Sequence, residues 1–287
     1  MDESHHRLLW TITQRLEGNE GVPPWEPGQI IGAALDGDGD RCLLIEATAE
    51  GLQIVDGDRM CDEIIRAGIE THSGAWKMAA SIESDLGLTA DLPRLGQHES
   101  ITTAVGDRWL SAALWPKTGA RWHESEQIPK VIGTEDSGHL VMPTPCPNTS
   151  NKWALVGDGT ATLLASLLAR AVLCKEDTAP AFQGGWKKRS SIRPSIRERW
   201  TGDDDLSALV QSVAEKWCDS TLSRTYVDGE PALMLLEGIV ENLPVSIAVR
   251  NSGTEAKTSI SIRFARGIEA DGEQLMGQLL DVLTPHL

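Results

Sequence analysis

The sequence lacks long apolar runs, an excess of basic residues and paired cysteines, and each lack excludes a class of protein. No segment reaches the roughly 20 apolar residues that a membrane-spanning helix requires. The first residues, Met1 to His6, are polar, unlike the start of a secretory signal peptide. The formal net charge is −16, which disfavours generic binding to nucleic acid or to an anionic membrane. We therefore expect no nucleic-acid partner and no membrane partner.

Cysteine usage indicates a reducing compartment. The five cysteines are odd in number and none forms a C-x-x-C pair, so we expect neither a disulfide framework nor a zinc site. They are Cys42, Cys61, Cys146, Cys174 and Cys218. With 40% apolar and 24% charged residues the chain has the composition of a soluble globular protein, and its 287 residues allow two domains. We predict a cytoplasmic protein.

The most distinctive stretch is an acidic loop at residues 36–41, with the sequence D-G-D-G-D-R. Alternate side chains of an extended chain share one face, and glycines between them let the backbone bend until the three carboxylates converge. Carboxylates that close repel one another unless a cation lies between them, and an all-oxygen ligand set favours Mg²⁺. The apolar run at 30–35 predicts a buried strand, so the acids would lie at a strand end, where α/β sheets bind ligands.

Two other interpretations of the acidic loop are weaker. Asp-Gly pairs are common in turns, so the loop could simply be solvated. An EF-hand would need glycine at the sixth position and glutamate at the twelfth. Counted from Asp36, those positions hold Arg41 and Ala47, which excludes an EF-hand.

The order of predicted elements indicates an α/β unit followed by a smaller α+β unit. The first unit has strands at 41–46 and 51–55 joined as a hairpin, a helix from Asp56, a strand at 76–82 and a polar irregular stretch at 83–100. These are followed by a helix at 106–115, a strand at 130–133 and an apolar helix at 160–174. Residues 175–194 are predicted as a linker. The second unit has a helix at 206–217, strands at 222–227, 232–240, 244–250 and 258–264, and a last helix at about 270–284. A short helix is also predicted at 8–16. The inward face of helix 206–217 is predicted to be Leu206, Leu209, Val210, Val213, Ala214 and Trp217.

Two further loops carry groups suited to a sugar phosphate. Residues 250–255, R-N-S-G-T-E, offer a guanidinium, hydroxyls and the backbone N–H groups of a turn, which suit a phosphate, although an ordinary hairpin turn is equally compatible. Residues 133–139, G-T-E-D-S-G-H, offer Glu135 and Ser137 for sugar hydroxyls and His139 for proton transfer. For an isolated histidine, a satisfied structural role would be the more common outcome.

Taken in order, these motifs resemble the α-D-phosphohexomutase superfamily, which includes phosphomannomutases, phosphoglucomutases and phosphoglucosamine mutases. The motifs are D-G-D-G-D-R at 36–41, V-G-D-R at 105–108, G-x-E-x-S-G-H at 133–139, G-D-G at 157–159 and R-x-S-G-T-E at 250–255. The match runs from about residue 29 to the end of the chain. It implies a mixed α/β mutase domain followed by a two-layer α+β domain that binds phosphate.

The resemblance also implies roles for single residues. Asp36, Asp38 and Asp40 would bind Mg²⁺, and Arg41 would support the catalytic phosphate. Glu135 and Ser137 would hold sugar hydroxyls, with His139 as a proton-transfer or sugar-contact group. The phosphate that is not being transferred would be bound by Arg250, Ser252, Gly253 and Thr254. In this superfamily a phosphoryl group moves between the 6- and 1-positions of a hexose through a phosphoserine.

The phosphoserine loop of the family, which resembles T-A-S-H-N-P, has no counterpart in this sequence. Only 35 residues precede Asp36, which is short for a complete domain. We therefore expect residues 1–50 to be a remnant of the second mutase domain, 51–180 the third domain and 181–287 the C-terminal domain. A separate chain that supplies the missing N-terminal domains is an expected partner.

Two functions follow from these observations. The first is a phosphohexomutase-like intramolecular phosphotransferase that acts on hexose 1- and 6-phosphates with Mg²⁺ and is incomplete in this chain. The second is a non-catalytic sugar-phosphate-binding or scaffold protein derived from a mutase. A simple metal-dependent phosphatase is disfavoured, because no aspartyl-nucleophile motif of that kind accompanies Asp36.

Overall fold

The computed structural model describes residues 25–49, 51–72, 74–174, 178–252, 255–268 and 270–287. The predicted helix at 8–16 lies outside these residues, as do Gly253 and Thr254 of the predicted phosphate loop. Fourteen strands in this part of the chain form three sheets. Within the same residues, no helix combines the length and the apolar character needed to cross a bilayer.

The first sheet carries the acidic loop between two of its strands. It consists of β1 (Ile30–Leu35), β2 (Cys42–Thr48) and β3 (Gly51–Val55), all antiparallel and in that order. The predicted hairpin of β2 and β3 is confirmed. The prediction that β1 is buried is wrong: β1 is an edge strand with no fully buried residue, and Leu35 is 47% exposed. The acids therefore lie in an antiparallel connection, not at the end of a buried parallel strand.

The second sheet has six strands in the order β5-β4-β7-β8-β9-β6. Its strands are β4 (Lys77–Ser81), β5 (Glu99–Thr103), β6 (His123–Glu124), β7 (Val131–Thr134), β8 (Leu140–Pro145) and β9 (Lys152–Gly157). The associated helices are α1 (Gly57–Thr71), α2 (Leu86–Asp91), α3 (Asp107–Leu114) and α4 (Gly159–Leu173). Strand β4, next to the edge strand β5, is parallel to β5 and β7, whereas the remaining pairs are antiparallel, so the sheet is mixed.

The stretch predicted to be irregular, 83–100, is largely ordered into elements. It contains α2, a 3₁₀ turn at Leu92–Leu95 and the start of β5. Although this stretch is mostly polar, the side chains of Leu88 and Leu92 are buried and pack into the core beside α1. A short helix with so few apolar positions gives a weak periodic signal, which explains the error.

The third sheet, in the C-terminal part, is entirely antiparallel with the order β10-β14-β13-β12-β11. Its strands are β10 (Trp186–Ile192), β11 (Ser223–Thr225), β12 (Met234–Val240), β13 (Leu243–Asn251) and β14 (Thr258–Phe264). Two helices, α5 (Asp205–Cys218) and α6 (Gly272–Leu283), complete a two-layer core. The predicted strands and helices after residue 200 are confirmed within a few residues.

Two predictions about this unit are wrong. The proposed linker, 175–194, includes all of β10, because the basic run Lys187-Lys188-Arg189 pairs with β14 and its charges are taken up by acidic partners. The predicted inward residue Leu209 is 47% exposed, whereas Val210 beside it is fully buried. The inward stripe of α5 is narrower than the sequence pattern suggests. The predicted domain boundaries at 50 and 180 stay predictions. Residues of β2 and β3 share a hydrophobic core with α1 and β4.

Candidate functional site

The acidic loop brings three carboxylates to one point. Ligand oxygens of Asp36, Asp38 and Asp40 all lie within 4.8 Å of one another. Asp36 also shapes the loop, because its Oδ1 accepts hydrogen bonds from the backbone N–H of Gly39 at 3.1 Å and of Arg41 at 3.3 Å. The loop thus folds back on its first residue and presents the other carboxylates on the same side.

The donor set of this loop fits a hard divalent cation. The Oδ1 atom of Asp40 is buried and has no hydrogen-bond partner among the described residues, and Arg41 Nε is 3.8 Å away. A buried acceptor without a donor is costly unless a cation satisfies it. Three converging carboxylate oxygens are the ligand chemistry that Mg²⁺ and Ca²⁺ use in proteins.

The electrostatics of the loop reflect this crowding. Burial raises the pKa of Asp40, and the Asp36 and Asp38 carboxylates raise it further, against the opposing charge of His139. Burial also acts to raise the pKa of Asp36, but the hydrogen bond from the Arg41 backbone and the charge of Arg41 outweigh it and lower that pKa. The loop therefore concentrates negative charge that a bound cation would neutralise.

The loop at 135–139 lies directly against the acidic loop. The backbone N–H of Cys42 donates to the carbonyl of Gly138 at 3.0 Å, and Arg41 and His139 form an isolated antiparallel bridge. His139 is almost fully buried, and its Nδ1 lies 3.3 Å from Asp40 Oδ2. The predicted metal residues and the predicted sugar-loop histidine are thus in contact.

His139 is surrounded by acidic groups. Its Nε2 lies 4.0 Å from Oδ2 of Asp107, on the opposite side from Asp40. Burial acts to lower the pKa of His139, but interactions with Asp107, Glu135 and Asp40 outweigh it and raise that pKa. The imidazole is held between carboxylates and is not simply a surface loop residue.

Close backbone approaches fix the two loops together, and they require glycine. Gly138 has a φ of +90°, and a Cβ there would lie 2.1 Å from the carbonyl oxygen of Cys42. A Cβ on Gly157 would lie 2.4 Å from Cε1 of His139, and one on Gly159 would lie 2.6 Å from a carbonyl oxygen of the acidic loop. The G-D-G motif that begins α4 therefore serves to pack that helix against the candidate site.

Glu135 and Ser137 belong to the loop at 135–139 and differ in burial. Glu135 is buried, and its Oε1 accepts from the backbone N–H of Gly106 at 2.6 Å while its Oε2 accepts from the Ser137 hydroxyl at 3.2 Å. Both Glu135 oxygens are therefore engaged within the protein. Ser137 is half-buried at the edge of the loop.

Arg250 lies at the end of β13, on the third sheet. Its Nε and Nη2 donate to Oε1 of Glu83 at 3.2 and 3.1 Å, and its Nη1 lies 3.7 Å from Glu230. Arg250 and Ser252 line a cavity of about 420 Å³ at the junction of the second and third sheets. The other lining residues are Val105, Arg108, Trp109, Gly229, Glu230, Pro231, Ala232 and Asn251.

Partly buried ion pairs join the third sheet to the rest of the site. Lys187 Nζ, on β10, lies 3.0 Å from Asp56, 3.1 Å from Asp58 and 3.3 Å from Asp136. The side chain of Asp58 is fully buried, and burial raises its pKa to about 7 although Lys187 opposes this shift. The basic run of β10 therefore anchors the C-terminal sheet to the start of α1 and to the loop that holds His139.

Arg189 makes a second connection. Its Nη2 lies 3.1 Å from Asp136 and 2.9 Å from Glu83, the residue that also binds Arg250. A continuous chain of contacts thus leads from the His139 loop through Asp136, Arg189 and Glu83 to Arg250. Lys187, Arg189 and Glu83 could not be predicted as site residues, because their roles depend on pairing between distant segments.

Known proteins resemble this chain in sequence. The phosphoglucosamine mutase of Kineococcus radiotolerans is 35% identical over 266 residues, which cover 91% of this chain and 47% of the relative. That of Gluconacetobacter diazotrophicus is 33% identical over 150 residues, 52% of this chain and 27% of the relative. The chain thus spans about half the length, or less, of the curated relatives it matches. No protein-family model matches the chain.

Solved structures show the same fold. An N-acetylglucosamine-phosphate mutase in its substrate complex, described as a member of the α-D-phosphohexomutase superfamily, superposes with a TM-score of 0.60 at 13% identity, covering 94% of this chain and 52% of that one. The Aspergillus fumigatus N-acetylphosphoglucosamine mutase in complex with GlcNAc-6P and magnesium gives a TM-score of 0.55 at 14% identity, with 96% and 52% coverage.

The mixed α/β unit followed by an antiparallel C-terminal sheet is thus the fold that this chain shares with the superposed phosphohexomutases. The sequence relatives and the structural neighbours together place the chain in the α-D-phosphohexomutase superfamily.

Proposed function

We propose that this chain forms the metal-, sugar- and phosphate-binding part of a phosphohexomutase-like intramolecular phosphotransferase that acts on hexose 1- and 6-phosphates. The observation that supports this most directly is the attachment of the acidic loop to the loop at 135–139. The Arg250 cavity is joined to the same loop through Asp136, Arg189 and Glu83.

Each loop would then have a distinct task. Asp36, Asp38 and Asp40 would hold Mg²⁺, which supplies positive charge against the charge that develops on a transferring phosphoryl group. Arg41, whose Nε lies 3.7 Å from Asp36, would add a guanidinium beside the same phosphate. His139 would hold a proton on Nδ1 or Nε2 between Asp40 and Asp107.

The second loop and the cavity would orient the sugar. Ser137 would contact a sugar hydroxyl, and Glu135 would do so by exchanging the Ser137 hydroxyl for the ligand's. Arg250 and Ser252, together with Gly253 and Thr254, would hold the phosphate that is not being transferred. Fixing both ends of the hexose in this way lowers the entropic cost of in-line transfer.

The phosphorylated serine of the family reaction would come from the part of the relatives' length that this chain does not span. That part could belong to the same protein or to a separate chain. In either case the residues described above would supply the cation site and the binding loops, and the serine segment would supply the nucleophile.

Complementation in trans tests the proposal. The purified chain would be assayed with Mg²⁺, glucosamine 6-phosphate and a hexose 1,6-bisphosphate activator, alone and mixed with the N-terminal half of the Kineococcus radiotolerans enzyme. We expect turnover in the mixture, lost on chelation of Mg²⁺ and with Asp38→Asn. Asp281→Asn, on the exposed face of α6, is the matched control and should keep turnover. If a folded mixture that forms a complex shows no turnover, the catalytic proposal is wrong.

One observation favours the second candidate, a sugar-phosphate-binding protein without transferase activity. The cavity that contains Arg250 is lined by no residue of the acidic loop, so binding of a phosphate there is separable from metal chemistry. Calorimetry with glucose 6-phosphate distinguishes the two candidates. Binding that Arg250→Ala abolishes, combined with no turnover in the mixture, supports this candidate, and absence of binding contradicts it.

A further inference from the structure

We propose that Arg108 supplies a second guanidinium to the phosphate site, reaching from the α/β unit toward the phosphate that Arg250 and Ser252 would hold from the C-terminal sheet. This inference rests on the proposed function, because it assumes that the Arg250 cavity binds the phosphate of a sugar phosphate. It adds a binding residue that lies on a different structural unit from the R-x-S-G-T-E loop.

The cavity has two walls of different origin. Arg108 and Trp109, in the first turn of α3, form one wall, and the end of β13 with Arg250 and Ser252 forms the other. Its volume of about 420 Å³ is within the range of small-molecule sites. A phosphate in this space would be within reach of side chains from both walls.

The side chain of Arg108 contacts the Trp109 ring, and its N–H groups donate no hydrogen bond to the described residues. Its Cζ lies 4.7 Å from the ring centroid of Trp109, a cation–π contact that orients the guanidinium plane. Within the described residues this guanidinium makes no hydrogen bond. Its donors are therefore available to a planar or tetrahedral oxyanion.

The supporting indole is itself fixed by a close contact. Gly229 has a φ of +93°, and a Cβ there would lie 1.8 Å from Cζ2 of Trp109. Only glycine allows the loop before β12 to lie against the indole in this way. The support for Arg108 thus includes contributions from both units that meet at the cavity.

Charge balance explains why one arginine is insufficient. Arg250 is already engaged by Glu83 at 3.1 Å and lies 3.7 Å from Glu230, and both carboxylates oppose an incoming anion. The protein as a whole carries a net charge of −16. A phosphate with up to two negative charges therefore needs further positive charge. Arg108 also acts on Glu230 through its charge, but it makes no salt bridge among the described residues, so it can supply that charge.

Calorimetry on the full chain tests the inference with glucose 6-phosphate as the probe and glucose as the reference without phosphate. Arg108→Ala should raise the dissociation constant for glucose 6-phosphate about 10- to 100-fold, the range expected for loss of a charge-assisted hydrogen bond, and leave glucose unaffected. Arg108→Lys should recover part of the affinity, because it restores charge without the planar fork. Arg121→Ala is the matched control, since Arg121 also stacks on a tryptophan, Trp115, at 5.4 Å but lies outside the cavity.

The outcomes separate this inference from the proposed function. If the wild-type chain binds glucose 6-phosphate and Arg250→Ala abolishes binding while Arg108→Ala binds like wild type, the role of Arg108 is refuted and the phosphate site stands. If Arg108→Ala and Arg121→Ala weaken binding equally, the effect is not specific to the cavity and the inference is again refuted. If the wild-type chain binds no glucose 6-phosphate, the proposed phosphate site itself is wrong.

Discussion

Replacing Lys187 by methionine should loosen the attachment of the C-terminal sheet to the rest of the candidate site. Lys187 is the shared partner of Asp56, Asp58 and Asp136, with Nζ–O distances of 3.0 to 3.3 Å. Methionine keeps an unbranched side chain of similar length but removes the ammonium. The substitution therefore tests the charge alone and removes the salt-bridge partner of the fully buried Asp58.

The expected cost follows from the burial of Asp58. Removal of one partner of a buried ion pair costs about 3–5 kcal/mol, because an uncompensated charge stays in the interior. Lys187 and Asp136 are partly exposed, which places the expected loss in the free energy of unfolding near the lower end, at about 3 kcal/mol. The other contacts of the junction, from Arg189 and Arg263, stay in place.

This cost should depend on pH in a defined direction. Burial raises the pKa of Asp58 from 3.8 to about 7, so the folded state binds this proton more tightly than the unfolded state. Below pH 7 Asp58 is largely neutral and needs no counter-ion, whereas above pH 7 it is ionised and relies on Lys187. The loss caused by Lys187→Met should therefore be larger at pH 8.5 than at pH 5.5.

The neighbouring lysine provides a control for this experiment. Lys188 follows on β10 and points to the opposite side of the strand, where it pairs with the exposed Glu273. Lys188→Met should cost no more than about 1 kcal/mol. Urea unfolding monitored by tryptophan fluorescence at both pH values measures all four differences. Equal losses for the two variants, or a larger loss for Lys187→Met at pH 5.5, would refute the reasoning.

Three further predictions concern single positions. Gly138→Ala should lower the free energy of unfolding by about 1–3 kcal/mol and weaken Mg²⁺ binding in a titration, because it forces a Cβ against the Cys42 carbonyl at a positive φ. Gly37→Ala, with open space around the added Cβ, should do neither. Val210→Ala should cost about 2 kcal/mol in urea unfolding and Leu209→Ala only about 0.5 kcal/mol, and a reversed order would contradict the narrow inward face of α5. As the pH rises from 4 to 7, the free energy of unfolding of the wild type should fall relative to that of Asp58→Asn by up to about 4 kcal/mol, because a folded-state pKa of about 7 favours the protonated folded form. The same pH dependence of unfolding free energy for both proteins would contradict this sign.

The motifs of the candidate site could be predicted from the sequence because each is local. The three aspartates at 36–40 and the residues 135–139 carry their chemistry in a few adjacent positions. The alternating apolar pattern of β12 to β14 was equally readable, since every second side chain enters one core. The structure then adds that the first two of these loops are in contact through Arg41 and His139.

The parts that could not be predicted depend on pairing between distant segments. The run Lys187-Lys188-Arg189 has the composition of a linker, and only its ladder with β14 makes it a strand. The partners of Arg189 lie 53 and 106 positions away in the sequence, at Asp136 and Glu83. The exposure of β1 could not be predicted for a related reason, because an apolar run does not indicate whether another strand or a helix covers it.

The two halves of the candidate site are attached by different physical means, and this difference has a functional consequence. The acidic loop and the His139 loop are joined by backbone contacts at Gly138, Gly157 and Gly159, which tolerate almost no displacement. The Arg250 cavity is joined to them by ion pairs of Arg189 with Asp136 and Glu83, whose strength depends on the protonation of the carboxylates. A shift in pH that protonates these carboxylates should therefore loosen the attachment of the Arg250 cavity and alter its affinity for a phosphate.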